Sequence, residues 1–107
     1  MTYLLCFFGG ALLVNALPHL INGISGRAFP TPFARPRGRG ESSALLNVIW
    51  GAASLALGYI LLFLLAGFDP RAPAQAAAAG LGALLLALGA AWHFGSVYGG
   101  DRPTSRD

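Results

Sequence analysis

Three long apolar stretches dominate the chain, separated by two shorter polar segments. They cover about residues 3–24, 44–68 and 74–98, and each has the ~20 residues that an α-helix needs to cross ~30 Å of hydrocarbon. Their richness in Leu, Ala and Gly, without strict alternation, argues against membrane β-strands. The pattern predicts an all-α membrane protein with three transmembrane helices in one domain, a loop over residues 25–43 and a polar tail over residues 99–107.

The composition agrees with this class. The chain is 55% hydrophobic and 10% charged, far from the ~25% charged content of soluble domains. Its single cysteine, Cys6, excludes an intramolecular disulfide.

The distribution of charge predicts an orientation. All seven basic residues are arginines. Four of them lie between the first two stretches: Arg27, Arg35, Arg37 and Arg39. The second connection has only Asp69 and Arg71, so the positive-inside rule places the 25–43 loop and the C-terminus in the cytoplasm and the N-terminus outside. We expect a multi-pass protein of a bacterial inner membrane whose loop arginines contact lipid headgroups, and no nucleic-acid partner, because no stacking platform accompanies the arginines.

The 25–43 loop is rich in proline and aromatic residues. Its segment Phe29-Pro30-Thr31-Pro32-Phe33, followed by Pro36, disfavours helix and favours extended geometry. Two interpretations stay open: the loop covers the cytoplasmic mouth of the helices, or it is a passive linker at the headgroup boundary. Ser43 is placed to cap the second helix.

Polar residues recur at helical spacing inside the apolar stretches. On the first helix they are Asn15, His19 and Asn22; on the second, Asn47, Trp50 and Ser54; on the third, His93 and Ser96. Gly82 and Gly89 lie in line with the polar residues of the third helix, and we expect both glycines to pack closely against another helix. Counted inward from the cytoplasmic ends they form three levels, at ~4–5 Å (Asn22, Asn47, Ser96), ~8–9 Å (His19, Trp50, His93) and ~15 Å (Asn15, Ser54, Gly89). We therefore expect polar groups of all three helices to converge in the inner half.

Polar side chains in a membrane span usually face the interior, a partner or water. Histidine can also change charge near neutral pH. The eight polar and aromatic residues of these levels are thus candidates for binding a substrate or protons, with His19 and His93 tuning protonation. The alternative is that they hold the helices together by hydrogen bonds. No metal or haem site is expected, because His19 and His93 alone do not make a recognised ligand set.

Small residues predict where helices approach closely. The Gly9-Gly10 pair would admit another helix, and Gly51, Ser54 and Gly58 form a small-residue seam that faces either a neighbouring helix or a second copy. Pro18 frees the carbonyl of Val14, for which the Asn15 amide or a water is a substitute donor.

Two functions remain open. The first is a homo-oligomeric carrier or conduit for a small polar solute or protons, since three spans enclose little space by themselves. The second is an auxiliary or structural membrane subunit that docks a larger membrane protein or lipid headgroups. An enzyme is not expected, because no carboxylate and no nucleophile–base–acid set lies within any span.

The short length and the first-span proline resemble, in architecture only, the three-span half-transporters of the sugar-carrier class. Their Pro-Gln signature is replaced here by Pro18-His19. No family is assigned from this resemblance.

Overall fold

The computed structural model describes residues 1–102, and the last five residues of the predicted tail lie outside that range. Helix α1 spans Thr2–Ile24, α2 spans Ala44–Tyr59 and continues as a π-helix over Ile60–Leu65, and α3 spans Pro73–Tyr98. All three are long and apolar enough to cross a membrane. The predicted helical fold with three helices of membrane-spanning length and apolarity is confirmed for residues 1–102. These residues contain no β-strand, only one isolated antiparallel bridge between Phe29 and Ser42.

The helix ends follow local sequence signals. Ser43 caps α2 by accepting a hydrogen bond from the Leu46 amide at 3.1 Å, as predicted. Helix α3 begins with Pro73 in its first turn, where a missing amide proton costs nothing. It ends at Gly99, whose φ of 82° is the left-handed conformation that glycine tolerates best.

The second span ends three residues earlier than predicted, and its last turns are π-helical. The π-helical bonds run over five residues, for example from the Ala66 amide to the Leu61 carbonyl at 3.0 Å. The helix stops at Leu65 rather than Phe68. In this segment Leu62 is buried and packs against Gly9 of α1.

Helix α1 lies between the other two helices. It packs along both α2 and α3, while within the described chain no residue of α2 comes within 8 Å of α3, measured between Cα atoms. The three spans of one chain therefore form a layer centred on α1 and do not surround a common axis.

Glycines make the close contacts on both sides of α1. A Cβ at Gly10 would collide with the backbone of Ala79, and one at Gly82 with the carbonyl of Phe7, so α3 meets α1 backbone to backbone. On the α2 side, Gly51 faces Leu20 and Gly58 faces Leu13. The small-residue seam of α2 therefore serves packing within the chain.

Gly89 departs from this pattern. A Cβ at Gly89 would meet open space, so the expectation that it packs closely is wrong. Gly82 meets α1 at Phe7, near the N-terminal end of that helix, whereas a Cβ at Gly89 has no neighbour within 4 Å.

Candidate functional site

The polar residues of α1 and α2 meet at their shared interface. Asn15 donates from Nδ2 to the Ser54 hydroxyl at 3.1 Å, and Ser54 is buried. This pair lies at one level, as the helical spacing predicted. The hydrogen bond that the Asn15 amide makes is directed at α2. Of the two donors expected for the Val14 carbonyl, the Asn15 amide or a water, the amide makes no such bond within residues 1–102.

His19 and Asn47 form the next pair, closer to the loop. The His19 Nδ1 lies 2.8 Å from the Asn47 Oδ1, and both residues are buried, with Asn47 fully so. An amide oxygen only accepts, so His19 must donate from Nδ1. These residues had been assigned to adjacent levels, and the levels merge here.

The remaining hydrogen bonds of Asn47 go to the 25–43 loop. Its Nδ2 lies 2.9 Å from the Phe29 carbonyl, 3.2 Å from the Ser42 carbonyl and 2.9 Å from the Ser43 carbonyl. Three surrounding acceptors fix which end of the amide is nitrogen. Asn47 therefore joins both ends of the loop to α2 and, through His19, to α1.

Phe29 extends these contacts to α3. Its ring centroid lies 5.6 Å from that of His19, 4.7 Å from that of Phe94 and 5.9 Å from that of Tyr98. An aromatic side chain of the loop thus fills the space between α1 and α3 at the ends of both helices.

A short internal pairing stiffens the loop around Phe29. Phe29 and Ser42 exchange backbone hydrogen bonds of 3.2 and 2.9 Å, and the hydroxyls of Thr31 and Ser42 lie 2.5 Å apart. Thr31, Ser42 and Pro30 are buried. The Phe33 side chain, in contrast, is exposed, and its ring lies 5.3 Å from that of Trp50 between centroids, in a perpendicular arrangement.

The third helix reaches the loop and not the His19–Asn47 pair. His93 donates from Nε2 to the Gly38 carbonyl at 2.6 Å, and the Ser96 hydroxyl bonds to the His93 carbonyl of its own helix at 2.9 Å. Ser96 is exposed. The predicted convergence therefore holds directly for α1 and α2, while α3 joins through Gly38 and Phe29.

Trp50 occupies the border of this region. Its ring centroid lies 6.5 Å from that of His19, in an edge arrangement, and the residue is half-buried. Trp50 thus lies beside both His19 of α1 and Phe33 of the loop.

The loop arginines are all exposed. Arg27 is held at the end of α1, where its Nε donates to Asn22 Oδ1 at 3.1 Å. Asn22 itself donates from Nδ2 to the Pro18 carbonyl at 2.8 Å. Arg35, Arg37 and Arg39 follow along the outer part of the loop.

Two pockets of moderate size open at this end of the helices. One, of about 370 Å³, lies between the loop and α3 and is lined by Asn22, Arg27, Ala28, Phe29, Glu41 and Tyr98. The other, of about 340 Å³, is lined by Arg39, Gly95, Ser96, Gly99, Asp101 and Arg102. A third and larger groove, of about 600 Å³, lies along α2 beside Leu13 of α1 and is lined by aliphatic and aromatic residues: Leu13, Ala52, Leu55, Ala56, Tyr59, Ile60 and Phe63.

Several residues that complete the site are not among the site residues predicted from the sequence. They are Phe29, Thr31, Gly38, Glu41, Ser42 and Tyr98. Phe29 lay within the Phe-Pro-Thr-Pro-Phe segment, which pointed to a loop over the helix ends without specifying which ring faces inward. Gly38 bonds to His93, and Ser42 to Asn47, through backbone carbonyls, which no side-chain pattern reveals.

The described donors do not gather into a metal-binding group. In residues 1–102 no three His, Cys, Asp or Glu side chains cluster. His19 and His93 are each engaged by a different partner, Asn47 for the first and Gly38 for the second.

No protein-family model matches the chain, and no curated protein or solved structure matches it either.

Proposed function

We propose that the protein is an auxiliary subunit of a bacterial inner membrane that docks a larger membrane protein through its arginine-bearing 25–43 loop. The observation that carries this proposal is the set of hydrogen bonds made by the Asn47 side chain. A fully buried amide binds three loop carbonyls and a histidine of the neighbouring helix. Two of the residues that would line a transport site, His19 and Asn47, are thereby engaged in holding the loop.

A loop that is already held in one conformation suits docking, because little conformational entropy is lost when it binds a partner. The loop is attached to all three helices, by Asn47 to α2, by Phe29 to α1 and by the Gly38 carbonyl to α3. The arginine side chains of the loop remain exposed to solvent. The surface it offers is rigid and positive, and the complementary partner surface is acidic.

The side of the membrane follows from the same charges. With four arginines in this loop and one in the opposite connection, the positive-inside rule places the docking surface in the cytoplasm and the N-terminus outside. The partner is therefore expected to present acidic residues near the cytoplasmic ends of its own spans.

The experiment is photo-crosslinking in native membranes. A photoreactive residue at position 37 is expected to label one larger membrane protein, and native mass spectrometry of the gently extracted complex to give a one-to-one stoichiometry. The matched control carries the same residue at position 71, in the opposite connection. Labelling of lipid or of a second copy alone at position 37 would contradict the proposal.

A homo-oligomeric carrier or conduit for a small polar solute or protons is the second candidate. One observation favours it: the Nε2 of His19 makes no hydrogen bond within residues 1–102. Because no buried side-chain nitrogen or oxygen in that range lacks a partner, Nε2 is the accessible atom of a side chain that is only 4% exposed. In this arrangement Asn15, Asn22, Asn47 and Trp50 would line the site, and a second copy would supply the missing wall, because α2 and α3 do not meet.

Flux through reconstituted vesicles separates the two candidates. For the carrier, His19→Ala should abolish solute or proton flux while helix content and monodispersity are retained. Flux that is absent from the native protein, or unchanged in the variant at several pH values, would remove His19 from a transport role and leave docking as the function.

A further inference from the structure

We infer that the pocket of about 370 Å³ between the loop and α3 binds a zwitterion that joins a phosphate to a primary ammonium, as in the headgroup of an aminophospholipid. The pocket has a positive residue, Arg27, and a negative one, Glu41, in the same lining. This inference is independent of the proposed docking, which uses the outward arginines at positions 35, 37 and 39.

Arg27 is positioned to bind the phosphate. Its backbone amide donates to the Asn22 carbonyl at 2.8 Å and its Nε to Asn22 Oδ1 at 3.1 Å. The amide of Asn22 is in turn fixed by the Pro18 carbonyl. These contacts use only the inner edge of the guanidinium, so its two terminal nitrogens are available for a bidentate bond to phosphate oxygens.

Glu41 is positioned to bind the ammonium. The Tyr98 hydroxyl donates to its Oε2 at 2.6 Å, which holds the carboxylate against α3 and leaves Oε1 available. Within the described residues Arg27 and Glu41 each bond to another neighbour and form no ion pair with each other. Two opposite charges that share a pocket without neutralising each other fit a ligand that has both charges.

The wall of the pocket and its depth fit a lipid headgroup. Phe29 and Tyr98 stack at 5.9 Å between centroids, 14° from parallel, and present aromatic surface that favours an ammonium. The pocket lies where α1 ends at Ile24 and α3 ends at Tyr98, which is the boundary between hydrocarbon and headgroups. Ile24 is 75% exposed there and offers apolar contact to an acyl chain.

The test is lipid retention by purified protein in detergent, followed by native mass spectrometry. Phosphatidylethanolamine, phosphatidylglycerol and phosphatidylcholine are added at equal concentration to the native chain. We expect preferential retention of phosphatidylethanolamine, because phosphatidylglycerol lacks the ammonium and the quaternary ammonium of phosphatidylcholine cannot donate to Glu41. Arg27→Gln and Glu41→Gln should each weaken retention about tenfold.

Arg37→Gln is the matched control, since it removes one loop arginine that does not line the pocket, and retention should not change. Glu41→Gln keeps an acceptor for Tyr98, and circular dichroism of each variant verifies that helix content is intact. Competition by free phosphoethanolamine distinguishes the sources: effective competition supports a soluble zwitterion, and no competition supports the lipid. Equal retention of phosphatidylglycerol, with no loss in Glu41→Gln, would overturn the inference.

Discussion

The Nδ1 of His19 donates to the Oδ1 of Asn47 at 2.8 Å, across the interface of α1 and α2. The opposite end of the same amide binds the carbonyls of Phe29, Ser42 and Ser43. His19 of α1 is therefore coupled to the conformation of the loop through one side chain, that of Asn47. The polar contact between α1 and α2 thus holds in place the loop that bears the arginines.

Replacing Asn47 should release the loop. Asn47→Ala leaves the His19 donor and loop carbonyls without their partner, and we expect a loss of about 2–3 kcal/mol in the free energy of unfolding, since each unsatisfied buried group costs ~1–3 kcal/mol. Thermal unfolding in detergent measures the loss. Limited trypsin digestion should show faster cleavage after Arg37 and Arg39.

Asn15→Ala is the matched control for this prediction. It also removes an amide from the α1–α2 interface, but Asn15 bonds to Ser54 and not to the loop. Its trypsin cleavage rate should equal that of the native chain. Equal cleavage of the two variants would mean that Asn47 does not hold the loop.

A methyl group at Gly82 should separate α3 from α1. The added Cβ would collide with the carbonyl of Phe7, a backbone atom that cannot rotate away. We expect Gly82→Ala to destabilise the protein by about 1–3 kcal/mol, the usual range for overpacking. Gly89→Ala, on the same helix, meets open space and should be neutral or slightly stabilising. Thermal unfolding of the two variants decides, and equal melting temperatures would contradict the backbone contact.

Sequence periodicity predicted the helices well because a span of hydrocarbon imposes length and composition on each of them. It also placed Asn15 opposite Ser54, since residues at equal depth on facing helices can bond. It did not predict that α2 and α3 stay apart, because an apolar helix face looks the same whether lipid or another helix covers it. Nor did it show that His93 turns to the loop, since its partner is the backbone carbonyl of Gly38.

Phe29 and Phe33 flank the same Pro-Thr-Pro segment and should behave differently. Phe29 touches His19, Phe94 and Tyr98, while Phe33 is 61% exposed and meets Trp50. Phe29→Ala should lower the free energy of unfolding by about 2–3 kcal/mol, somewhat less than the ~3–5 kcal/mol of a fully buried phenylalanine. Phe33→Ala should have little effect on stability.

Intrinsic fluorescence gives an independent readout for this pair. Phe33→Ala removes the ring that lies against Trp50 and should alter the tryptophan emission at nearly unchanged melting temperature. A larger loss of stability in Phe33→Ala than in Phe29→Ala would mean that the outer ring, and not the inner one, attaches the loop.

His93 should hold only the outer half of the loop. Its bond to the Gly38 carbonyl at 2.6 Å lies beside the turn in which the Gly40 amide donates to the Pro36 carbonyl, also at 2.6 Å. In His93→Ala we expect hydrogen exchange at Gly40 to accelerate between about twofold and about tenfold, the factor that corresponds to one net hydrogen bond.

The Phe29 and Ser42 amides should keep their protection, because Asn47 still binds the carbonyls of both residues. Ser96→Ala is the control, since within residues 1–102 that hydroxyl bonds only to the carbonyl of His93. Hydrogen exchange resolved by residue tests both halves at once: loss of protection at Phe29 and Ser42 in His93→Ala would show that the loop opens as one unit, and unchanged exchange at Gly40 would show that His93 does not hold it.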